Sequence, residues 1–228
     1  GDGVEALQLV RSHVPDIIVS DVMMPRMNGY KLCKTIKEDI NISHIPVILL
    51  TARDDRQSQI SGYKNGADGY LSKPFEVEML MELIRNRLKN REYTKKRYLN
   101  AGLIPTPEES TISLTDETFL IKLNSIIQEN IENSNLGIQF ICQEVGLGRS
   151  SLYNKLKALT GMGANEYISK LRIEKAITLI SGTDMPFSEI AEKTGFTTPS
   201  YFSTAFKQYT GETPSQYKER KKKGLADK

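Results

Sequence analysis

The sequence of 228 residues predicts two domains of different fold class, an α/β domain followed by an all-α domain. In the N-terminal part, two short apolar runs, Ile17 to Ser20 and Val47 to Leu50, alternate with segments of helical periodicity, as in a doubly wound parallel sheet. A segment with two prolines and clustered small polar residues follows, and after it helical periodicity continues to the end of the chain. We therefore expect domains at 1–98 and 116–228, joined by a linker at 99–115.

The elements of the first domain follow from its hydrophobic pattern. The two apolar runs lack the alternation of a half-exposed strand, which favours strands buried on both faces. A third, shorter strand is expected around Tyr70 and Leu71. Helical periodicity predicts helices at Val4–Ser12, Gly29–Glu38, Asp55–Asn65 and Glu76–Arg91.

Each of the three strands ends in a residue suited to phosphoryl chemistry: Asp21, Thr51 and Lys73. Because ligands bind outside the carboxyl ends of parallel strands, we expect these side chains to converge on one pocket. Asp21 would accept a phosphoryl group, Lys73 would pair with it, and Thr51 would donate a hydrogen bond to a phosphoryl oxygen. The alternative is three unrelated strand ends with Lys73 as a surface charge, but three matching residues in order argue against it.

The segments around these residues resemble those of response-regulator receiver domains. The resemblance covers about residues 3 to 91 and lies in Asp21 to Gly29, in Thr51-Ala52 and in Ala67 to Phe75. It implies a flavodoxin-like fold in which Asp21 is phosphorylated. The residues of the implied switch are Thr51, Tyr70 and Lys73, and the resemblance also implies a cis Lys73-Pro74 peptide bond.

The sequence departs from that family at its start. Receiver domains begin with a strand that carries an acidic pair, whereas this sequence opens on a segment that resembles their second helix, so we expect the first two strands to be absent. Of the implied Mg²⁺ ligands, Asp21 and the backbone carbonyl of Met23 remain, and weak or no Mg²⁺ binding and slow phosphorylation are expected of this segment. We interpret it as part of a longer polypeptide.

The composition gives few further signals. The longest apolar stretches are far shorter than a membrane span, and no leader opens the sequence, so we expect no membrane contact and a cytoplasmic location. Cys33 and Cys142 lie in separate predicted helices without paired spacing, which supports neither a disulfide nor a zinc site. His13 and His44 are isolated, which favours a surface or loop position for each.

The second domain repeats one design, a helix, a glycine turn and a second helix. Each repeat is a predicted helix-turn-helix unit. The first runs from Ile138 to Gly146 and then from Ser150 to Thr160; the second runs from Phe187 to Gly195 and then from Pro199 to Tyr209. The second helices are expected to be anchored by Leu152, Leu156 and Leu159 in the first unit and by Tyr201, Phe202, Ala205 and Phe206 in the second.

This half resembles the AraC-type DNA-binding domain over about residues 116 to 220. The signature consists of Ile190-Ala191, Gly195-Phe196, Tyr201-Phe202, Phe206-Lys207, Gly211, Thr213-Pro214 and Tyr217. The resemblance implies seven helices, with a long helix at about Ala164 to Ser181 that holds two recognition helices in successive major grooves of double-stranded DNA.

Carried over by position, the resemblance implies two sets of DNA-contacting residues. Base edges would be contacted by Arg149, Ser150, Tyr153 and Asn154 in the first unit and by Pro199, Ser200, Ser203 and Thr204 in the second. Phosphates would be contacted by Lys155, Lys157 and Lys207. The segment from residue 115 onward contains 15 Lys and Arg and 13 Asp and Glu, a nearly balanced charge. The prediction of DNA binding therefore rests on fold and motif rather than on charge.

Together the resemblances imply a transcription regulator, not an enzyme, in which a histidine kinase phosphorylates Asp21 and the receiver controls homodimerisation of the DNA-binding domain. The domain order resembles the C-terminal end of hybrid two-component regulators, which often control polysaccharide-utilisation genes. The alternatives are a free-standing response regulator and an interaction-only fragment that dimerises and binds DNA without phosphorylation. A phosphohydrolase is disfavoured because Met23 stands where such enzymes need a second aspartate.

Overall fold

The computed structural model describes residues 1–52, 66–101 and 113–226, and the helix predicted at Asp55–Asn65 lies outside them. The chain divides into two compact units. The first comprises Gly1–Leu120 together with Ser150–Gly161, and the second comprises Ile121–Arg149 and Met162–Lys228. One helical segment of the predicted DNA-binding domain is therefore packed within the first unit.

A parallel sheet forms the centre of the first unit. Its described strands are β1 (Ile18–Asp21), β2 (Val47–Ala52) and β3 (Gly69–Lys73), in the order β1-β2-β3. Asp21 is opposite Leu50, and Thr51 is opposite Ser72, so the three strands end at the same edge of the sheet. The α/β class and the parallel arrangement are confirmed.

Helices α1 (Gly3–His13), α2 (Gly29–Glu38) and α3 (Val77–Ala101) accompany the sheet. The apolar side of α2 packs into a core with β1 and β2, and Leu32, Cys33 and Ile36 are fully buried there. Burial of both faces holds for β2 but not for β1, where Val19 remains 38% exposed.

Seven helices follow in the described range 113–226, the number that the resemblance implies. They are α4 (Leu114–Glu129), α5 (Ile138–Val145), α6 (Arg149–Thr160), α7 (Ala164–Gly182), α8 (Phe187–Lys193), α9 (Pro199–Thr210) and α10 (Pro214–Ala226). Helix α3 extends three residues into the predicted linker, and α4 begins at Leu114, one residue before the predicted linker ends. The all-α class of the second half is confirmed.

The second unit has an aromatic core around α9. Phe202 and Phe206 are fully buried, and ring centroids lie 5.4 Å apart between Phe196 and Phe202 and 5.6 Å apart between Phe206 and Tyr217. Tilted and edge-on pairs at this spacing add to the hydrophobic stabilisation. Tyr201, expected to be an anchor, is instead 54% exposed, although its ring edge touches Phe196.

Cys33 and Cys142 are both buried, Cys33 in α2 and Cys142 in α5. His44, predicted at the surface or in a loop, lies in a turn but is buried. Among the described helices, none combines the length and the hydropathy required to cross a membrane.

Candidate phosphorylation site and nucleic-acid interface

The ends of β1 and β3 bring Asp21 and Lys73 into direct contact. The Lys73 ammonium donates to Asp21 Oδ2, and the backbone N–H of Met23 donates to Oδ1 at 3.1 Å. The Lys73 hydrogen bond, helped by the N–H of Met23, holds the pKa of Asp21 below its ordinary value despite some desolvation. The lowered pKa keeps the carboxylate anionic at neutral pH. The Asp21 side chain is also 38% exposed, so a reactant can reach it.

Thr51 lies on β2, between these two strand ends. Its side chain is fully buried, and its hydroxyl has no hydrogen-bond partner among the described residues. A buried hydroxyl without a partner costs free energy, which a ligand oxygen at this edge would recover. Tyr70 is half-buried on β3, and the Lys73-Pro74 peptide bond is cis, as the resemblance implies.

The loop after Asp21 is held tightly against the start of α2. A Cβ atom at Gly29 would lie 2.4 Å from the carbonyl oxygen of Asp21, and the Gly29 N–H donates to the carbonyl of Val22 at 3.0 Å. The Asn28 side chain caps α2 by accepting from the N–H of Lys31 at 2.9 Å. The sequence motif gives no reason for a glycine at position 29, whereas the structure shows that its missing side chain permits this close approach.

The described donors beside Asp21 do not make a complete Mg²⁺ site. No group of three His, Cys, Asp or Glu side chains suited to a metal occurs in the described ranges. Asp2 is occupied elsewhere, since its carboxylate accepts from the N–H groups of Val4 and Glu5 at the start of α1 and pairs with Arg26. Asp21 and the Met23 carbonyl alone do not satisfy octahedral Mg²⁺.

Helix α9 begins at a well-formed cap and presents a polar face. The Thr198 hydroxyl accepts from the N–H of Tyr201 at 3.1 Å, and Pro199 occupies the first turn. Four of the predicted contact residues on this helix are exposed, whereas Ser203 is half-buried. The exposed ones are Pro199, Ser200, Thr204 and Lys207.

The turn before α9 depends on Gly195. Its φ is +70°, and a Cβ atom there would lie 2.2 Å from the carbonyl oxygen of Ile131 and 2.9 Å from Nη2 of Arg172. The same Nη2 donates to the carbonyl of Asn133 at 2.7 Å, and the Arg172 guanidinium lies 6.0 Å from the centre of the Phe196 ring. This packing fixes the approach to α9, and sequence reasoning did not identify Arg172.

Helix α6 has the two faces that the sequence predicts, with one exception. Leu152, Leu156 and Leu159 are buried. The exposed residues are Arg149, Ser150, Tyr153, Asn154 and Lys157. Lys155 is fully buried in an ion pair with Asp116, so in this structure it does not reach a phosphate.

The helical periodicity already contained the signal for Lys155. Position 155 lies three residues after Leu152 and next to Leu156, on the apolar side of the helix. The prediction of a phosphate contact at this residue does not fit its placement.

Comparisons with known proteins agree with both halves of this architecture. The model of the response regulator receiver domain matches residues 1–85, and that of a helix-turn-helix domain matches residues 141–220. The chain is 36% identical over 148 residues to the probable transcriptional regulator ycf29 of Porphyra purpurea, covering 58% of this chain and 69% of that protein. It is 42% identical over 219 residues to histidine kinase P4 of Formosa agariphila, covering 96% of this chain but 16% of that protein.

Among solved structures, the C-terminal domain of AraT, a response regulator from Geobacillus stearothermophilus, is 31% identical and covers 45% of this chain and 84% of that chain, with a TM-score of 0.42. The chain belongs to the response regulators in which a receiver domain is joined to an AraC-type helix-turn-helix domain. It is a DNA-binding transcription regulator under two-component control.

Proposed function

We propose that Asp21 accepts a phosphoryl group from a histidine kinase and that this reaction controls DNA binding. The observation that carries the proposal is the contact between Asp21 and Lys73 beside the buried hydroxyl of Thr51. In the transfer, an Asp21 carboxylate oxygen forms a bond to phosphorus, the bond from phosphorus to the donor imidazole nitrogen breaks, and that nitrogen takes up a proton. Lys73 then pairs with the new phosphoryl oxygens.

The switch follows from the partners that the phosphoryl group gains. The Thr51 hydroxyl donates to a phosphoryl oxygen, and Tyr70 turns into the space that Thr51 leaves. Such a local change shifts the population between two conformations rather than creating a new one.

The output is DNA recognition by α6 and α9. Exposed polar residues on both helices support this role. Base contacts come from Arg149, Ser150, Tyr153 and Asn154 on α6 and from Pro199, Ser200, Ser203 and Thr204 on α9. Phosphate contacts come from Lys157 and Lys207, which are both exposed.

Self-association after phosphorylation would raise the DNA affinity without a new base contact, because two linked recognition domains act at high effective concentration. Val77 and Met81 support a pairing surface on α3, since they are one helical turn apart and 67% and 43% exposed. Sedimentation with and without a phosphodonor tests this step; an unchanged monomer would exclude it.

The context we propose is the output end of a hybrid two-component regulator, in which kinase and receiver share one polypeptide. The alignment of 96% of this chain with part of a protein named histidine kinase P4 supports it. Control of polysaccharide-utilisation genes is the associated biological role. A kinase domain encoded upstream of Gly1 would support this context, and a nearby start codon would favour a free-standing regulator.

Mass spectrometry after incubation with acetyl phosphate and Mg²⁺ tests the acceptor. Receiver domains are generally Mg²⁺-dependent, and the donors around Asp21 are incomplete, so we expect slow, partial labelling confined to Asp21. An Asp21→Asn variant should show none. Labelling that persists in this variant would contradict the acceptor assignment, and rapid stoichiometric labelling would contradict the expected weak metal binding.

A further inference from the structure

A buried polar cluster in the first unit consists of Ser43, Asp116 and Lys155, and we call it the polar latch. The Lys155 ammonium donates to Asp116 Oδ1 and, at 2.7 Å, to the hydroxyl of Ser43. That hydroxyl donates to Asp116 Oδ1 at 2.7 Å. The Lys155 ammonium also lies 5.1 Å from the centre of the Phe119 ring, a cation–π contact.

Both charges of the latch are withdrawn from water. The side chains of Lys155 and Asp116 are 0% and 3% exposed. Burial alone would raise the pKa of Asp116, but the charge and hydrogen bond of Lys155 and the Ser43 hydroxyl hold it below its ordinary value. Burial lowers the pKa of Lys155, and the charge and hydrogen bond of Asp116 oppose this shift. Each charge therefore depends on the other members of the latch for compensation.

The latch lies on the side of α6 opposite its exposed polar residues. Tyr153, Asn154 and Lys157 are exposed on the same helix turns from which Lys155 points inward. A small rotation of α6 would move both faces together. The ion pair therefore constrains the orientation in which α6 meets DNA.

We propose that Lys155 is a positioning residue for DNA recognition, and that Ser43, in the turn before β2, supports this position by bonding both charged members of the latch. The proposal rests on the DNA-binding function, and it assigns to Lys155 a role different from a phosphate contact.

The test compares four forms of the full chain on a duplex selected from random sequence with the wild-type protein. Lys155→Met leaves Asp116 buried without its partner, so binding should weaken by about tenfold or more while the salt dependence is retained. Asp116→Leu/Lys155→Met replaces the pair by apolar groups, and the affinity should return to within about threefold of wild type. Lys157→Met is the matched control on the exposed face, and its salt slope should fall by about 1.

If Lys155 contacted a DNA phosphate directly, changing Asp116 could not restore the affinity that Lys155→Met loses. If Lys155→Met lowers the salt slope and the double variant remains weak, or if the double variant does not fold by circular dichroism, the proposal is overturned. If the wild-type protein selects no duplex, the DNA-binding function itself fails, which is a different result.

Ser43→Ala tests the second half of the proposal. In the wild-type background it removes a hydrogen bond to each charged partner, and the affinity should fall about three- to tenfold. In the double-variant background, which has no charges left to contact, the same change should cause no loss. An equal loss in both backgrounds would show that Ser43 acts independently of the latch.

Discussion

Replacing Gly195 by alanine should destabilise the second helix-turn-helix unit by more than backbone strain alone would cause. At φ +70° an alanine costs about 1–2 kcal/mol, partly offset by the lower entropy of the unfolded chain. The added Cβ would also lie 2.2 Å from the backbone carbonyl of Ile131, which cannot move as a side chain can. Overpacking of this kind costs about 1–3 kcal/mol, so the total loss should be about 2–4 kcal/mol.

Gly146 provides the matched control in the first helix-turn-helix unit. Its φ is +75°, but a Cβ atom there would meet nothing within 4 Å, so Gly146→Ala should cost only about 1 kcal/mol. Urea unfolding followed by circular dichroism measures both variants, and a difference of about 2 kcal/mol shifts the midpoint by roughly 1 M. Equal losses for the two alanine variants would refute the steric argument.

Other predictions concern single side chains. Thr51→Val removes a buried hydroxyl without a described partner, so the free energy of unfolding measured in urea should stay unchanged or rise by up to about 1 kcal/mol, while the DNA response to a phosphodonor is lost; a large destabilisation would reveal a hydrogen bond. Asn154→Ala should relax preference at a few base positions in a binding selection, whereas a uniform loss would contradict base contact. Lys207→Met should weaken binding to all sequences and reduce the salt slope by about 1; an unchanged slope would exclude a phosphate contact. Burial, and to a lesser extent repulsion from Lys155, lowers the pKa of His44 from its ordinary value of 6.5 to about 3. Between these two pH values the unfolded chain binds a proton at His44 that the folded chain does not. Stability should fall with acidification across that window by at most roughly 1.4 kcal/mol per pH unit, and His44→Gln should flatten the fall; an unaltered pH dependence would show that His44 is not its source.

The sequence predicted the strand ends because that signal is local. Strand edges are marked by the change from apolar to polar residues, and parallel pairing places those edges together whatever lies between them. The contact of Asp21 with Lys73 follows from this rule although the two residues are 52 positions apart.

The misplaced residues depend on long-range packing. Lys155 carries a charge that composition assigns to the surface, and its partners Asp116 and Ser43, both distant in the sequence, make its burial tolerable. His44 is buried by the same unit, and Val19 is exposed because the described elements cover only one face of β1. Periodicity indicates which side of an element is apolar, but it does not show which neighbour covers that side.

The central claim is that phosphorylation of Asp21 controls DNA binding by the helices that follow. The direct measurement is the DNA affinity of the wild-type chain and of Asp21→Asn, each with and without a phosphodonor and Mg²⁺, on the same selected duplex. We predict that the affinity of the wild type rises in proportion to its labelled fraction, and that Asp21→Asn does not respond. An identical response in both proteins, or none in a labelled wild type, would contradict the account.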